Sequence, residues 1–509
     1  MPVDSPFPEY GQAAYSASTG TPVGVGLDAL AQADPDAPAL SCADTRSAGA
    51  SPGAGVTLSR AELATRSNRL ARQLAKLGVG HGDLVTIGLP NGIEFFVASV
   101  AAWKLGATPQ PVSARLPTAE LTALLELAAS PVVIGLDPGD GRPWLPIGFE
   151  PDPELDSGPL PPVVPPSWKA PTSGGSTGRP KIILAGGAGT VEAIAARGPA
   201  MRIAPDEVFL VTAPLYHNAP VTFALMALVL GAHVVVMERF EPADVLAHVA
   251  RYRVTWLYAV PTLMGRLLRL PAEVRAAADL SSVRTLLHVG APCPEHVKRG
   301  WLDWIGPKRV LELYGGTESI ALCMIDGEDW LRHPGSVGRA TSGELLIADE
   351  DGRPLPSGTD GEVWMKPPPG ARTYRYLGAT ARTMGDWESI GDMGRLDQDG
   401  YLYLTDRRED MILVGGANVY PAEVEAALEA HPSVSSSAVI GLPDTDLGNV
   451  VHAIVQTSTP VSDDELAAHL RTRLAPYKLP RSFERSATPL RDDAGKVRRS
   501  ALRAARTGG

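Results

Sequence analysis

Residues 233–260 read HVVVMERFEPADVLAHVARYRVTWLYAV, and this stretch decides the fold class. Its apolar run HVVVM predicts a buried strand, ADVLAHVARY has the apolar spacing of a helix, and VTWLYAV predicts a second strand. A strand, a helix and a strand in that order are typical of a parallel sheet that is covered by helices. We therefore predict an α/β fold.

The same alternation extends toward the N-terminus. Residues 221–237, VTFALMALVLGAHVVVM, predict a buried helix that leads into a buried strand, because the run is short for a membrane span and contains Gly231 and His233. Farther upstream, Ser59 is placed to cap a helix with leucines at helical spacing. The strand DLVTIGLP and the helix GIEFFVASVAAWKLG follow it.

Elsewhere in the chain the pattern changes. Upstream of the deciding stretch, residues 135–168 are rich in Pro, Gly and Asp and predict a connector outside the core. Residues 335–403 predict a smaller β-rich subdomain, and the chain beyond it predicts a compact α+β unit. The expected architecture is a multidomain α/β protein with a large N-terminal domain, residues 1–408, and a small C-terminal domain, residues 409–509.

Composition argues against several classes of function. The 509 residues have a formal net charge of −11, which gives no general attraction for nucleic acid or anionic lipid. The three cysteines are widely spaced, so neither a disulfide framework nor a thiolate zinc site is indicated. The first residues lack the pattern of a secretory signal, and we expect a cytoplasmic protein. The sequence leaves the oligomeric state open, a homodimer included.

The segment TSGGSTGRPK, residues 172–181, combines four hydroxyl side chains, three glycines and two cations. Glycine lets backbone amides approach an anion closely, while hydroxyl and ammonium groups add donors and positive charge. The composition is typical of a loop that wraps polyphosphate, although the spacing differs from that of the GxxxxGK[ST] loop. A flexible linker rich in Gly and Ser is the alternative.

Five further motifs follow this segment: LYHNAP at residue 215, VGAP at 289, YGGTES at 314, GDMGRLDQDGYLYLTDRRED at 391 and DDAGKVRRSAL at 492. In this order they resemble the motif series of the adenylate-forming superfamily, which includes acyl-CoA synthetases, peptide-synthetase adenylation domains and firefly luciferase. The acyl-CoA ligase branch is the one we expect. The resemblance implies an enzyme that makes an acyl-adenylate from a carboxylic acid and ATP, with Mg²⁺, and passes the acyl group to the thiol of CoA.

The resemblance also implies an ATP site. In YGGTES, Tyr314 would lie near the adenine, Thr317 would meet the phosphates and Glu318 would hold Mg²⁺, which offsets the phosphate charge that repels an incoming carboxylate. The implied ATP- or AMP-binding residues are Thr172, Ser173, Gly174, Gly175, Ser176, Thr177, Gly178, Lys181, Gly290, Ala291, Pro292, Tyr314, Gly315, Gly316, Asp392 and Arg407.

Three of the implied roles depend on charge. Asp392 would accept hydrogen bonds from the ribose hydroxyls, with Arg407 beside it. Lys496 would bridge the substrate carboxylate and the α-phosphate and stabilise the charge that builds up as pyrophosphate leaves. Without the motif series, a lysine near a basic tail is typical of a solvated surface. The implied catalytic residues are Lys496, Glu318, Thr317 and His217.

His217 resembles the gating aromatic position beside the acyl carboxylate. No acidic residue stands next to it to pair with a substrate ammonium group, which disfavours an α-amino acid. The implied acyl pocket consists of His217, Asn218, Ala219, Val221, Gly290, Gly316 and Ala321. Because most of these side chains are small, we expect a bulky hydrophobic acid, either polycyclic or terpenoid-like or with a medium to long acyl chain. Small residues that merely pack the core are the alternative.

The resemblance implies that the small C-terminal domain moves. It would turn about a hinge at Glu409, where the family usually has Asp or Lys, and bring Gly415 and Gly416 to line a tunnel for the thiol. CoA is the expected acceptor, and the pantetheine of a separate carrier protein is the alternative. A non-catalytic nucleotide-binding relative is less favoured, because Glu318 and Lys496 are both present.

Overall fold

The computed structural model describes residues 20–43, 55–174, 180–407, 410–414, 417–444, 447–492 and 495–507. The helices in these ranges are α1 Val23–Ala33, α2 Arg60–Lys76, α3 Ile93–Lys104, α4 Thr118–Ala128, α5 Val191–Ala195, α6 Asn218–Val229, α7 Pro242–Tyr252, α8 Pro261–Leu268, α9 Ala272–Ala277, α10 Glu295–Ile305, α11 Gly327–Arg332, α12 Pro421–Glu429, α13 Asp463–Arg471 and α14 Arg499–Thr507. None of the described helices is both long and apolar enough to cross a membrane.

The strands of the first half are β1 Pro38–Ala43, β2 Val56–Ser59, β3 Leu84–Ile87, β4 Thr108–Pro111, β5 Val133–Ile134, β6 Trp144–Leu145, β7 Thr172–Gly174, β8 Pro180–Ala185, β9 Val208–Val211, β10 His233–Met237, β11 Trp256–Ala259, β12 Thr285–His288 and β13 Val310–Tyr314. The remaining strands are β14 Leu322–Asp326, β15 Arg339–Ser342, β16 Glu344–Ala348, β17 Gly361–Lys366, β18 Tyr374–Leu377, β19 Arg382–Met384, β20 Trp387–Ser389, β21 Asp392–Leu396, β22 Leu402–Arg407, β23 Ile412–Val414, β24 Ala417–Val419, β25 Val434–Asp444, β26 Gly448–Thr457 and β27 Ser482–Arg485.

A nine-stranded sheet organises the large part of the molecule, in the order β15-β14-β13-β12-β11-β9-β10-β1-β2. The pairs from β13 to β1 are parallel, and antiparallel strands close both edges. The strands of the deciding stretch, β10 and β11, flank β9, and the predicted helix between them is α7. The prediction of a parallel sheet covered by helices is therefore confirmed.

Helices cover this sheet, and the buried faces of each helix follow its pattern of apolar residues. The helix α2 begins after Ser59, whose side chain accepts from the backbone of Glu62 while the Glu62 side chain accepts from the Ser59 backbone, a capping box. In contrast, α3 and α6 are apolar on nearly every face and are buried on nearly every face. Behind α3, strands β4-β3-β5-β6 form a second parallel sheet.

Two smaller units follow. Strands β19-β20-β17-β21-β22 with β16 form the predicted antiparallel β-rich unit, while β18 leaves it to pair with β8. Beyond it, β25-β26-β27 pack with α12 and α13 around Val424, Leu428 and Leu466, a hydrophobic cluster separate from that of the large sheet. A large N-terminal and a small C-terminal part are thus confirmed.

The prediction that the connector, residues 135–168, lies outside the core was wrong at three positions. Most of the segment is irregular, but Leu145, Phe149 and Trp168 are 8%, 7% and 2% exposed and belong to the main hydrophobic core. The indole Nε1 of Trp103 donates to the Trp168 carbonyl at 2.7 Å. The density of prolines indicated where regular secondary structure stops. It could not indicate that side chains of this segment are buried in the core.

Candidate active site

Two loops at the carboxyl end of the nine-stranded sheet form the centre of the candidate site. The adjacent strands β12 and β13 end at His288 and Tyr314 and lead into VGAP and YGGTES, the two motifs of residues 289–292 and 314–319. Gly290 has a φ of 93°, a conformation that glycine adopts without strain. Ligands of open α/β sheets bind outside the carboxyl ends of the strands, so both motifs lie where a nucleotide is expected.

The glycine pair of YGGTES lets the loop fold back tightly. A Cβ at Gly316 would lie 2.7 Å from Oε2 of Glu318 and 2.9 Å from Cδ1 of Ile390, and one at Gly315 would lie 2.6 Å from Cδ2 of Leu322. Ser319 follows with a φ of 51°, a left-handed conformation that is costly for a residue with a side chain. The two glycines are therefore small because the loop packs on itself, and not because they leave room for an acid.

Glu318 is the centre of a buried polar group, which we call the Glu318 cluster and which contains Glu318, Lys181 and Tyr376. The carboxylate is 5% exposed. Its Oε1 accepts from Lys181 Nζ at 3.2 Å and from the Tyr376 hydroxyl at 2.5 Å, and Lys181 Nζ lies 3.1 Å from that hydroxyl. Burial and then the Glu318 charge raise the pKa of Tyr376, so its hydroxyl stays a hydrogen-bond donor.

Tyr376 was not predicted from the sequence. It lies on β18, which pairs with β8 so that Tyr376 faces Ile183 in register, and Lys181 lies two residues away on β8. The two side chains that meet are 195 residues apart in the chain. The alternation in β18 indicates a strand, but no local pattern tells which strand it will pair with.

The Glu318 cluster suits a magnesium ion bound together with phosphate groups. Mg²⁺ is usually held by one or two carboxylates while phosphate oxygens and water complete its octahedron. Glu318 is such a carboxylate, and Lys181 adds a second positive charge beside it. In the described part of the chain, no group of three or more His, Cys, Asp or Glu side chains could hold a metal on its own. The residues therefore fit a cation that arrives with ATP.

The predicted adenine and ribose residues are joined directly. The Tyr314 hydroxyl donates to Oδ2 of Asp392 at 2.7 Å, across 78 residues of sequence. Asp392 is 7% exposed and begins β21, where it pairs in register with Arg407 on β22, whose side chain lies outside the described residues. The hydrogen bond connects the large sheet to the β-rich unit and fixes the direction of the Asp392 carboxylate.

The turn that contains Lys496 reaches the same edge of the sheet. The Lys496 side chain is exposed, and its backbone N–H donates to Oδ1 of Asp492 at 2.9 Å. Gly495 has a φ of 76°, and a Cβ there would lie 2.8 Å from Oγ1 of Thr262 and 3.8 Å from Val260. A Cβ at Gly290 would lie 3.9 Å from the same valine. The lysine turn and the VGAP loop therefore meet at the end of β11.

Two arginines that the sequence reasoning missed anchor this turn. Arg491 donates to the Gly495 carbonyl at 3.2 Å and contacts Glu425 at 3.1 Å and Glu429 at 3.2 Å, both on α12. Arg499 holds Glu425 through two contacts of 2.8 and 2.9 Å. It also reaches Oδ2 of Asp410 at 2.8 Å, next to the predicted hinge.

The predicted phosphate loop begins in a hairpin. Strands β7 and β8 pair with Thr172 opposite Ile182 and Gly174 opposite Pro180, and Lys181 of this hairpin lies in the Glu318 cluster. The predicted residues outside the described part of the chain are Gly175, Ser176, Thr177, Gly178, Glu409, Gly415 and Gly416. For Ser173 and Gly174, only the backbone is described.

The predicted acyl residues lie around the start of α6. His217 precedes its first turn, and the His217 ring centroid is 4.2 Å from that of Tyr216. Val221 and Ala321 are each 1% exposed and lie within hydrophobic clusters, so they pack the core, as the alternative interpretation held. Asn218 does not face an apolar space: its Oδ1 accepts from Lys169 Nζ.

Lys169 is another polar residue of the site that sequence reasoning missed. It is 5% exposed, and its Nζ also donates to Oγ1 of Thr222 at 2.7 Å. Burial and then the Arg197 charge lower the pKa of Lys169, and against the opposing Glu318 charge the result is a pKa of about 7. The sequence shows a lysine just before the predicted phosphate-binding segment, but it does not show that this lysine is buried.

Comparison with known proteins identifies the family. A family model described as AMP-binding enzyme matches residues 27–375, and one described as AMP-binding enzyme C-terminal domain matches residues 423–490. The chain belongs to this family. The predicted superfamily and fold class are thereby confirmed.

The relatives of this enzyme activate acids of several kinds. It is 35% identical over 88% of its length to feruloyl-CoA synthase from an Amycolatopsis species, covering 94% of that protein, and 29% identical over 89% to a long-chain-fatty-acid–CoA ligase of Mycobacterium tuberculosis, covering 94%. It superposes with a TM-score of 0.79 on o-succinylbenzoate CoA synthetase from Bacillus subtilis in complex with an acyl-adenylate intermediate, at 28% identity over 94% of this chain and 97% of the other. The chain is an enzyme of the acyl-CoA synthetase class, as predicted.

Proposed function

We propose that this enzyme is an ATP- and Mg²⁺-dependent acid–CoA ligase for a bulky, largely apolar carboxylic acid, with AMP and pyrophosphate as products. The main support is one arrangement: the buried Glu318 cluster and the Lys496 turn lie at the same carboxyl edge of the parallel sheet. Cationic and metal-binding groups thus converge where a polyphosphate is expected to bind.

In the first step, a carboxylate oxygen of the acid attacks the α-phosphorus of ATP. A phosphorus–oxygen bond forms to the acid, the bond to the bridging oxygen of the β-phosphate breaks, and pyrophosphate leaves. Lys181 would bind the β- and γ-phosphate side, and Glu318 would hold the Mg²⁺ ion, which would neutralise phosphate charge when bound. Lys496 contributes an ammonium group to the negative charge at the α-phosphate.

Nucleotide selectivity arises on the opposite side of the site. Tyr314 fixes Asp392 through the 2.7 Å hydrogen bond, so that its carboxylate is oriented to accept from ribose hydroxyls. Asp392 is buried in β21 and cannot turn freely. Pre-orientation of this kind lowers the entropy that binding must remove.

In the second step, the sulfur of CoA attacks the acyl carbonyl. A carbon–sulfur bond forms, the bond to the AMP oxygen breaks, AMP leaves and the thiol proton is released. We propose that residues 409–509 move as a unit about Glu409 between the steps, so that Lys496 gives way to Gly415 and Gly416. The separate hydrophobic cluster of the C-terminal part and its contact at Gly495 support a unit that docks and undocks.

The proposal of a bulky acid rests on the small side chains at the start of α6 and on Gly290, although Ala219, Val221 and Ala321 also contact hydrophobic clusters. CoA is the acceptor we propose, because the three relatives named above are CoA ligases or synthetases.

A screen of carboxylic acids tests the proposal. The full chain with ATP and MgCl₂ should release pyrophosphate only when a suitable acid is present, and CoA should convert the acyl-adenylate into a thioester detected by mass spectrometry. The Glu318→Gln variant is the control for contaminating activity. Acid-independent pyrophosphate release across the whole panel would refute the proposal, and thioester formation with a pantetheinylated carrier protein but not with CoA would replace the acceptor.

A further inference from the structure

Lys169 differs from the other deeply buried lysines that the structure describes near the sheets. Lys104 is 4% exposed and its Nζ lies 2.6 Å from Oδ1 of Asp28, and Lys298 is fully buried with its Nζ 2.7 Å from Oε2 of Glu312. Lys169 is 5% exposed, yet among the described residues no carboxylate lies within ion-pair distance of it. Its two described acceptors, Asn218 and Thr222, are neutral.

A buried ammonium group without a carboxylate is unfavourable, because it loses its hydration and gains weaker contacts in return, here with neutral dipoles and with the Trp168 ring, whose centroid lies 5.1 Å from Nζ. An ammonium group has three N–H donors, and the described contacts account for two of them. Arg197, itself partly buried with its pKa lowered by that burial, adds a second positive charge. The carboxylate that acts on Lys169 over distance is Glu318, which already accepts from Lys181 and Tyr376.

The position of this charge is on the acyl side of the site. Asn218 and Thr222 lie one turn apart on α6, the helix that begins right after His217, so the chain of contacts runs from the start of the helix into its second turn. Lys169 itself lies three residues before Thr172 and the phosphate-binding hairpin. The ammonium group therefore lies between the hairpin and the helix that begins after His217, the residue predicted to stand beside the acyl carboxylate.

We infer that Lys169, oriented by Asn218 and Thr222, is a specificity-determining residue that binds an anionic oxygen group, such as a second carboxylate, on the acyl part of the acid. This inference rests on the proposed function and deepens it. A site built to hold a polar group discriminates strongly against an analogue that lacks it, since the buried polar group of the protein is then left unpaired. The preferred acid is thus mainly apolar but ends in an anion.

Matched acid pairs test the inference with the full-length enzyme. Each pair has one skeleton with and without a second, distal carboxylate: octanoic and octanedioic acid, decanoic and decanedioic acid, and cinnamic and 4-carboxycinnamic acid. The measured quantity is the ratio of kcat/KM values within a pair, from acid-dependent pyrophosphate release. We expect the diacid to be preferred in at least one pair, and the ratio to fall about tenfold or more in Lys169→Met.

Three further variants separate recognition from structure. Lys169→Arg keeps the charge and should retain part of the diacid preference. Thr222→Val keeps the lysine but removes one anchor, and should lower the ratio by a smaller factor even if Lys169→Met does not fold. Lys104→Met removes a different buried lysine, and should lower the melting temperature without changing the ratio.

The outcomes are distinct. If the wild-type enzyme accepts no acid of the screen, the proposed function fails. If it accepts monoacids but prefers no diacid, or if Lys169→Met and Thr222→Val leave the ratio of a preferred pair unchanged, the inference about Lys169 is overturned while the proposed function stands. An equal loss for both members of a pair in Lys169→Met would assign the lysine to the reacting carboxylate instead, and would also overturn the inference.

Discussion

The Glu318 cluster and the Lys496 turn are both charged parts of one candidate site, yet they are built in opposite ways. The cluster joins three buried or half-buried side chains from a loop after β13, from β8 and from β18. The Lys496 side chain is exposed, and only the backbone of its turn and the arginines beneath it are fixed to α12. The first arrangement is preformed, while the second is mounted on a separate unit.

Under the proposed mechanism, this difference would assign different steps to the two regions. The cluster consists of residues of the large N-terminal part, so it would stay in place if the C-terminal part moved. Lys496 would act only while Gly495 lies against Thr262 and Val260. The charge needed in both steps would then be buried in the large part, and the charge needed for one half-reaction would stand on an element that can leave.

The largest expected effect is that of Glu318→Gln. The neutral amide loses most of its attraction for Lys181 and for a magnesium ion, so we expect acid-dependent pyrophosphate release to fall about 10³-fold. Steady-state and single-turnover pyrophosphate assays measure it. Glu328→Gln on α11, a partly exposed carboxylate away from the site, is the matched control and should be unaffected. A loss below tenfold for Glu318→Gln would mean that the cluster is structural.

The next effect is that of Lys496→Ala. We expect adenylate formation to slow about 100-fold, because a donor to the developing charge is lost, while thioester formation from a pre-made acyl-adenylate stays nearly unchanged. The two half-reactions are measured separately by rapid quench. Arg498→Ala replaces an exposed cation of the same segment and should leave both rates alone. Equal losses in both half-reactions would contradict the division of roles.

Arg491→Met tests whether the anchor of the turn matters. The variant removes the contacts to Glu425, Glu429 and the Gly495 carbonyl, so the turn should lose its fixed orientation. We expect adenylate formation to slow about tenfold and the melting temperature to fall, because a buried carboxylate loses its partner. Unchanged adenylation in a destabilised variant would show that the anchor serves folding alone.

Tyr314→Phe should have the smallest effect. Loss of one hydrogen bond removes on the order of 1 kcal/mol of the free energy that orients the Asp392 carboxylate. The KM for ATP should therefore rise about fivefold with little change in kcat. Tyr403→Phe removes a comparable hydroxyl bond, 3.2 Å to Asp397, outside the site and is the control. A fall in kcat with constant KM would place Tyr314 in the chemistry instead.

Local patterns predicted most of the fold. The apolar runs of β10 and β11, the helix between them and the Ser59 N-cap depend on neighbours within a few residues, and all formed as expected. The motif series also located Glu318, Asp392 and Lys496. The burial of Trp168 at the end of the connector was not predictable, because it depends on Trp103, which lies 65 residues away.

The sequence by itself determined the alternation of strands and helices, which follows from local spacing, and it indicated the family through the resemblance of its motif series. Only the tertiary structure decided which polar and charged groups contact each other: Tyr376 contacts Glu318, Arg491 contacts the Lys496 turn, and Lys169 contacts α6. Strand pairing and helix packing join residues that are far apart in the chain, and burial then sets the strength of their charges. Neither is visible in a linear pattern.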